Sequence, residues 1–315
     1  MSAQNLWRRA NKPYFVFRPA QLLRRTGLVA ASREVDSERV EVMLPWGMPL
    51  RLRRNQKLTV ELMRRGVFDL TVSETLLRLA DPGDLVVDVG ANVGHMTSVL
   101  AQRVGPEGEV IAVEPHPRIH ADLRNNVERW ARSPGAPRFS LYELALSSEA
   151  GRVDLTMDSH FDWNQGSATL AVHRDDDPRL SQVRVEVRRL DDILAERRVG
   201  VLKADVEGFE IEVFKGAEES LRGRHIRDIV FEDFDEPPTA VTRYLESLGY
   251  TVFARDHGLL GPVVESGTRR AARRSGEDPS YLATSDPVRA RERLRPRGWR
   301  TLAGRSSAPS LGAGP

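Results

Sequence analysis

The 315-residue sequence predicts an α/β fold in which short strands and helices alternate. Three observations predict it. An apolar run, Leu85-Val86-Val87, ends on Asp88 and a glycine turn, Gly90-Ala91-Asn92-Val93-Gly94. Behind that turn Met96, Val99 and Leu100 share one face of a helix-like segment, and a second apolar run, residues 110–113, closes on Glu114. The alternation returns further on, where residues 199–204 and 226–231 read as strands ending at Asp205 and Glu232, with an amphipathic helix over 209–221 between them. Strand, glycine turn, helix, strand and acid make half of a nucleotide-binding βαβ unit.

The remaining elements follow from local pattern. Residues 38–53 alternate apolar and polar around Pro45-Trp46-Gly47, which predicts a β-hairpin. Residues 57–80 read as helix broken at Gly66, and Asp81-Pro82-Gly83 punctuates the chain before the first core strand. Pro115 and Pro117 lead into a helix over 118–131, and 138–143 is the next strand. Residues 151–190 carry three alternating pieces, Val153/Leu155/Met157, Ala168/Leu170/Val172 and Val183/Val185/Val187, expected as an antiparallel excursion inserted into the α/β pattern. A helix over 239–248 closes at Gly249, and residues 250–254 with 259–264 are expected as an antiparallel sheet edge. From Ser266 the composition turns to Arg, Ser, Ala, Gly and Pro; mobility is expected there, with Tyr281-Leu282-Ala283 as one ordered island at the edge. Domain bounds follow: an N-terminal extension over 1–80, a cofactor-binding domain over 81–265 and a basic tail over 266–315.

Composition narrows the chemistry. Cysteine is absent, which excludes disulfides, thiolate metal sites and a cysteine nucleophile, and suits a reducing cytoplasm. No run of eighteen apolar residues is present to span a membrane. Residues 1–33 carry seven Lys or Arg and no acid, and residues 266–315 carry eleven Arg against four acids, so the middle is acidic. Basic ends can meet nucleic acid or lipid, or be solvated tails. No stacking-aromatic motif of an RNA module is visible, which argues against nucleic acid. Oligomeric state is not legible.

The turn selects among adenosine ligands. A dinucleotide site wants G-x-G-x-x-G, whose second glycine lets the backbone meet a pyrophosphate; here Asn92 stands in that place. A phosphate-binding P-loop is excluded, because no G-K-[ST] follows. The D-x-G-x-x-x-G form with a downstream acid is the one S-adenosylmethionine-binding folds use. Asn92 tolerates positive φ and is expected to point its amide at the ligand. Glu114 is expected to hold both ribose hydroxyls. A nicotinamide-dependent oxidoreductase and a tight turn with no ligand stay open as alternatives.

Beyond the turn, VVDVGANVGHMT, AVEPHP, the Leu123…Asn125-Asn126 pair, LALSSEAG at 144–151, RLDDIL at 189–194, LKADVEGFEIEVFKGA at 202–217 and IVFED at 229–233 occur in order. Together they resemble the FkbM family of S-adenosylmethionine-dependent methyltransferases over residues 85–253. The resemblance implies a class I methyltransferase (Rossmann-like) fold: a seven-stranded, mostly parallel sheet with helices on both faces, a reversed final strand, and the cofactor at the strand ends. It also implies methyl transfer, most often to a hydroxyl oxygen of a sugar or polyketide-like natural product. An RNA-associated methyltransferase using the basic termini is the alternative within that chemistry.

Candidate cofactor-binding residues are Asp88, Gly90, Asn92, Gly94, Thr97, Glu114, Pro115, Ala145 and Asp205. Asp88 is expected to orient the turn or cap it, and the resemblance places Thr97 near the ligand. Candidate catalytic residues are Asp205, Glu207 and His95, with Lys203 as a further group able to assist deprotonation of an alcohol. His95, in the first helical turn, is expected to stay neutral as a base. Glu232, Asp233 and Asp235 form an acidic rim that matches no dedicated metal loop, so no metal is expected. Phe161, Trp163, Asn164 and Gln165 are expected to line the acceptor pocket or to pack beneath the β-excursion.

Overall fold

The structure, a computed structural model, describes residues 12–21, 38–157, 161–165, 180–266 and 277–303. After one helical turn, α1 (Pro13–Val16), the chain forms the hairpin β1 (Arg39–Met43) and β2 (Pro49–Arg53), then α2 (Lys57–Arg65) and α3 (Leu70–Leu79). Gly66 ends α2 in the left-handed region at φ 79°, where a glycine stops a helix without strain. Next come β3 (Leu85–Val89), α4 (His95–Val104), β4 (Glu109–Val113), α5 (Pro117–Ala131) and β5 (Arg138–Tyr142). Pro117 starts α5, where a missing N–H costs nothing.

A small sheet follows, in which β7 (Gly151–Met157) pairs antiparallel with β8 (Ser181–Arg188) and β6 (Ala145–Leu146) pairs parallel with β8. This is the expected excursion; its middle piece, residues 168–172, lies outside the described residues. The main fold resumes with α6 (Leu190–Leu194), β9 (Val199–Ala204), α7 (Glu210–Lys215), α8 (Glu218–Arg222), β10 (Ile226–Glu232), α9 (Ala240–Ser247), β11 (Thr251–Gly258), β12 (Gly261–Ser266), β13 (Ser280–Thr284), α10 (Pro287–Leu294) and α11 (Arg300–Ala303). The single helix expected over 209–221 is two short ones, because Gly216 and Ala217 interrupt it.

The main sheet has the order β12-β11-β13-β10-β9-β3-β4-β5. Its centre, β10-β9-β3-β4-β5, is parallel. Each central strand is buried on both faces, so its apolar run is nearly continuous. Val86, Val110, Val201, Val230 and Leu282 point to one helical layer, whereas Val87, Ile111, Leu202, Phe231 and Tyr281 point to the other. Chain order reverses between β3 and β9, which opens a crevice above their C-terminal ends.

Two expectations are corrected at the far side. The sheet has eight strands, not seven, and residues 281–283 are not at its edge. β13 lies between β10 and β11, antiparallel to both, so β11 runs with the core and β12 is the reversed edge. All five residues of β13 are buried. Five residues between an Arg-rich stretch and Pro287 are too few to outweigh the polar composition around them, which is why the tail expectation absorbed them.

The tail expectation fails again at α10 and α11, which pack on α3. Arg78 on α3 is 1% exposed at its side chain and pairs with Glu74 at 2.6 Å. It also donates to the carbonyls of Pro296 and Gly298, while Glu74 accepts from the Arg300 and Thr301 N–H groups and the Thr301 hydroxyl. Glu74→Ala leaves the Arg78 charge buried without its carboxylate and unpins α11. A loss of ~3–5 kcal/mol in urea unfolding is expected.

The hairpin is equally integrated. Trp130 donates to the Pro49 carbonyl at 2.6 Å, Trp46 donates to Ser98 Oγ at 3.0 Å, and Asn126 bonds the Arg51 backbone and the Val93 carbonyl. Trp46, Leu50 and Leu52 share one core with Val86, Val99 and Val201, so the expected boundary at residue 80 is not one in packing.

Candidate functional site

Three left-handed residues, Gly90 (φ 71°), Asn92 (φ 49°) and Gly94 (φ 99°), swing the chain from β3 into α4. At Gly90 the reason is space as well as φ, since a Cβ there would stand 1.9 Å from the Asp205 carbonyl oxygen. Gly90→Ala carries a left-handed penalty of ~1–2 kcal/mol, and the overlap displaces the end of β9 besides. A total above about 3 kcal/mol is expected, read as a lowered melting temperature by circular dichroism.

The cleft above this turn has a volume of about 510 Å³. Of the residues singled out in the sequence, Gly90, Asn92, His95, Glu114, Pro115, Ala145, Lys203, Asp205, Glu207 and Glu232 are among those that line it. Asp88, Gly94 and Thr97 do not. Asp88 is fully buried one strand position before the crevice, where Thr97 Oγ1 donates to it at 2.6 Å and Lys203 Nζ lies 3.3 Å away. A Cβ on Gly94 would meet Leu123 and Trp130, so that residue faces α5. These three brace the turn from beneath the cleft. The Asn92 amide also differs from expectation: its Oδ1 accepts the Val93 N–H at 2.8 Å, turning inward to brace the turn.

Glu114 closes β4 and is 6% exposed. The Asn92 N–H donates to one carboxylate oxygen and the His116 N–H to the other, each at 2.9 Å. One lone pair on each oxygen is therefore occupied and the carboxylate plane is set. Burial pushes its pKa up to about 7, against those two hydrogen bonds.

Lys203 is the group whose role the sequence reading misjudged. It is the register partner of Asp88 on the adjacent strand, so both side chains share a face. Its ammonium lies 3.3 Å from Asp88 and 3.5 Å from Asp205, and it donates to the Gly90 carbonyl at 3.0 Å. Burial alone would lower its pKa, but Asp88 and Asp205 overcome that and push it up. It stays charged and clamps the turn, so it is no base. A lysine inside the apolar run VGVLKA was the available signal.

His95 is 4% exposed, and among the described residues neither ring nitrogen has a hydrogen-bond partner. Trp46 and Phe68 meet it edge-on, at centroid distances of 5.4 and 6.2 Å. Burial, helped by the Lys203 charge, lowers its pKa to about 3. Glu207 follows Asp205 in a left-handed conformation, φ 53°, at the cleft mouth. Although it is exposed to water there, the surrounding protein and the charges of Asp205 and Glu210 push its pKa up to about 7.

The opposite wall holds groups the sequence did not bring together. Asp69 caps α3 by accepting the Val72 N–H at 2.9 Å. Glu277 accepts from the Leu70 and Thr71 N–H groups, which seats Asp278 beside it on the cleft. Glu232 is pushed up to about 10 by burial and by the charges of Asp205, Asp69 and Asp278. Trp163, Asn164 and Gln165 also line the cleft, and Phe161 packs on the buried His116 at a centroid distance of 4.8 Å. His160 and His173 lie outside the described residues. Among the described residues no group of His, Asp and Glu is arranged to hold a metal ion, and no helix is long and apolar enough to cross a membrane.

A crevice at the strand-order reversal, with a buried carboxylate beside a left-handed turn, suits an adenosyl group far better than a pyrophosphate. The fold and cleft are those of a class I, S-adenosylmethionine-dependent methyltransferase. The model of the methyltransferase FkbM domain matches residues 88–252, just over half of the chain, and the chain belongs to that family. It is similar to the 31-O-demethyl-FK506 methyltransferase FkbM of Streptomyces tacrolimicus, 34% identical over 207 residues that cover 57% of this chain and 77% of that one. It is similar also to methyltransferase sdnD of Sordaria araneosa, 29% identical over 192 residues covering 52% and 70%. Among solved structures it is similar to methyltransferase FkbM of Methylobacillus flagellatus KT, with a TM-score of 0.42 and 18% identity; the match covers 70% of this chain and 46% of that chain, about half its length.

Proposed function

We propose that the protein transfers a methyl group from S-adenosylmethionine to a hydroxyl oxygen of a small molecule, a sugar or natural product, in the cytoplasm. The observation that carries this reading is the pairing of an oriented, buried Glu114 with the carboxylates Asp205 and Glu207 across one cleft. That the relative from Streptomyces tacrolimicus is by name a methyltransferase of 31-O-demethyl-FK506 supports oxygen as the acceptor atom.

The residues present fit the cofactor. Glu114 offers its remaining lone pairs to the ribose hydroxyls, and Pro115 and Ala145 flank the adenine. Gly90 and Asn92 border the methionine portion. The orphaned imidazole of His95 is a ready donor for the methionine carboxylate. The cofactor supplies an electrophilic methyl carried on a positively charged sulfur. Glu207 then holds the acceptor hydroxyl and takes its proton, and Asp205 aligns that hydroxyl. Holding reactants in line is worth roughly 7–11 kcal/mol, so positioning is the larger part of the work. His95 moves from base to binding group, because a pKa of about 3 leaves it too weak to take an alcohol proton.

Thermal shift with S-adenosylmethionine, S-adenosylhomocysteine and NAD tests this. Either adenosyl ligand at about 100 times its Kd stabilises by ~2.7 kcal/mol, and NAD is expected to do nothing. A shift with NAD alone would return the chain to nicotinamide chemistry.

A further inference from the structure

We infer that the acceptor carries a protonated amine beside the hydroxyl that is methylated, and that the cleft recognises this charge. The inference rests on the methyltransferase reading and names the acceptor's chemistry within it. Carboxylates converge on the cleft from four separate parts of the chain: Asp69 at the start of α3, Asp205 and Glu207 after β9, Glu232 at the end of β10, and Asp278 ahead of β13. Of the lysines that line the same space, Lys203 is committed to Asp88, Asp205 and the Gly90 carbonyl, and Lys57 acts on Glu207 at the mouth. Arg65, the other cation of the lining, pairs with Glu61, so acidic groups outnumber uncommitted cations in the cleft. Burial and then Asp205, Asp69 and Asp278 hold Glu232 protonated in the empty cleft, so an arriving ammonium is what lets it ionise.

A second observation points to a ligand independently of the carboxylates. Gln165 is 6% exposed and lines the cleft, yet among the described residues neither its amide oxygen nor its amide nitrogen has a hydrogen-bond partner. A buried amide left unpaired costs free energy that a bound polar group restores. It offers one acceptor and one donor pair, which matches a ligand bearing both N–H and O–H groups. A neutral polyol satisfies Gln165 but leaves the carboxylates repelling one another. An anionic acceptor adds to the repulsion. An ammonium answers both features.

Calorimetry on the full chain saturated with S-adenosylhomocysteine tests this with a matched pair of probes, neamine and its fully N-acetylated form. They share every ring hydroxyl and differ in charge. Neamine is expected to bind at least about tenfold more tightly, with an affinity that falls as salt is raised. Glu232→Gln and Asp278→Asn are each expected to cut that preference by about threefold or more and to leave S-adenosylhomocysteine affinity as it was. Asp278 is exposed, so its replacement keeps the fold even if Glu232→Gln does not. Equal binding of the two probes, no binding of neamine, or a preference untouched by both variants overturns the inference. Failure of S-adenosylhomocysteine to bind at all is a different result, and it overturns the methyltransferase reading.

Discussion

Glu114→Ala is expected to weaken S-adenosylhomocysteine binding by about 100-fold or more, because it removes two hydrogen bonds to a charged acceptor, each worth ~1.5–3 kcal/mol. The loss falls on binding and not on folding. In the ligand-free protein this carboxylate is a burden: burial holds its pKa at about 7 against an ordinary 4.5. A carboxyl with a raised folded pKa binds more protons folded than unfolded between those two values. Its contribution to stability is thus lost as pH rises from about 4.5 to about 7, on the order of 3 kcal/mol in all. Glu114→Gln removes that loss and is expected to be at least as stable as the parent at pH 8 in urea unfolding, even though it binds the cofactor poorly. The same titration makes cofactor affinity pH-dependent. The ionised form accepts both ribose hydroxyls, so affinity is expected to fall about tenfold per pH unit below 7. Calorimetry across pH 5 to 8 reads this directly, and a flat profile would place the ribose elsewhere.

How much of this was legible in the sequence depends on whether a residue's neighbours are local. The turn, Glu114 and Asp205 were readable because a strand followed by a short turn delivers its next residues to one edge of a sheet. Asp88, Thr97 and Gly94, from the same motif, do not line the cleft, since adjacency in sequence does not say which side of a pleated strand a carboxylate leaves by. Asp88 leaves toward α4 and Lys203, beneath the cleft. Asp69 and Asp278 were not legible at all. Asp69 stands there as the cap of α3, and Asp278 reaches the cleft because Glu277, from a stretch whose composition reads as a tail, accepts the first N–H groups of α3. That bond joins residues 207 positions apart, and no local pattern encodes it. Gln165 was legible as a pocket residue, but its unpaired amide is a property of burial and not of sequence.

Glu207→Gln is expected to lower kcat by about 10²–10⁴, the range in which a positioned general base contributes. S-adenosylhomocysteine affinity is expected to stay unchanged, since the proposed binding rests on Glu114 and His95. The distinguishing readout is pH. In the parent, turnover rises with pH through about 7 as Glu207 loses its proton and becomes able to accept one. That limb disappears in Glu207→Gln. Asp205→Asn separates the neighbouring carboxylate from this role. Asp205 is one of the charges that push Glu207 up, so its neutralisation moves the limb to lower pH while slowing turnover through lost alignment. The two variants therefore differ in kind: one erases the titration and the other shifts it. A limb that survives Glu207→Gln at its original pH would give the proton to another group, and a limb unmoved by Asp205→Asn would mean that the two carboxylates do not face each other across the acceptor.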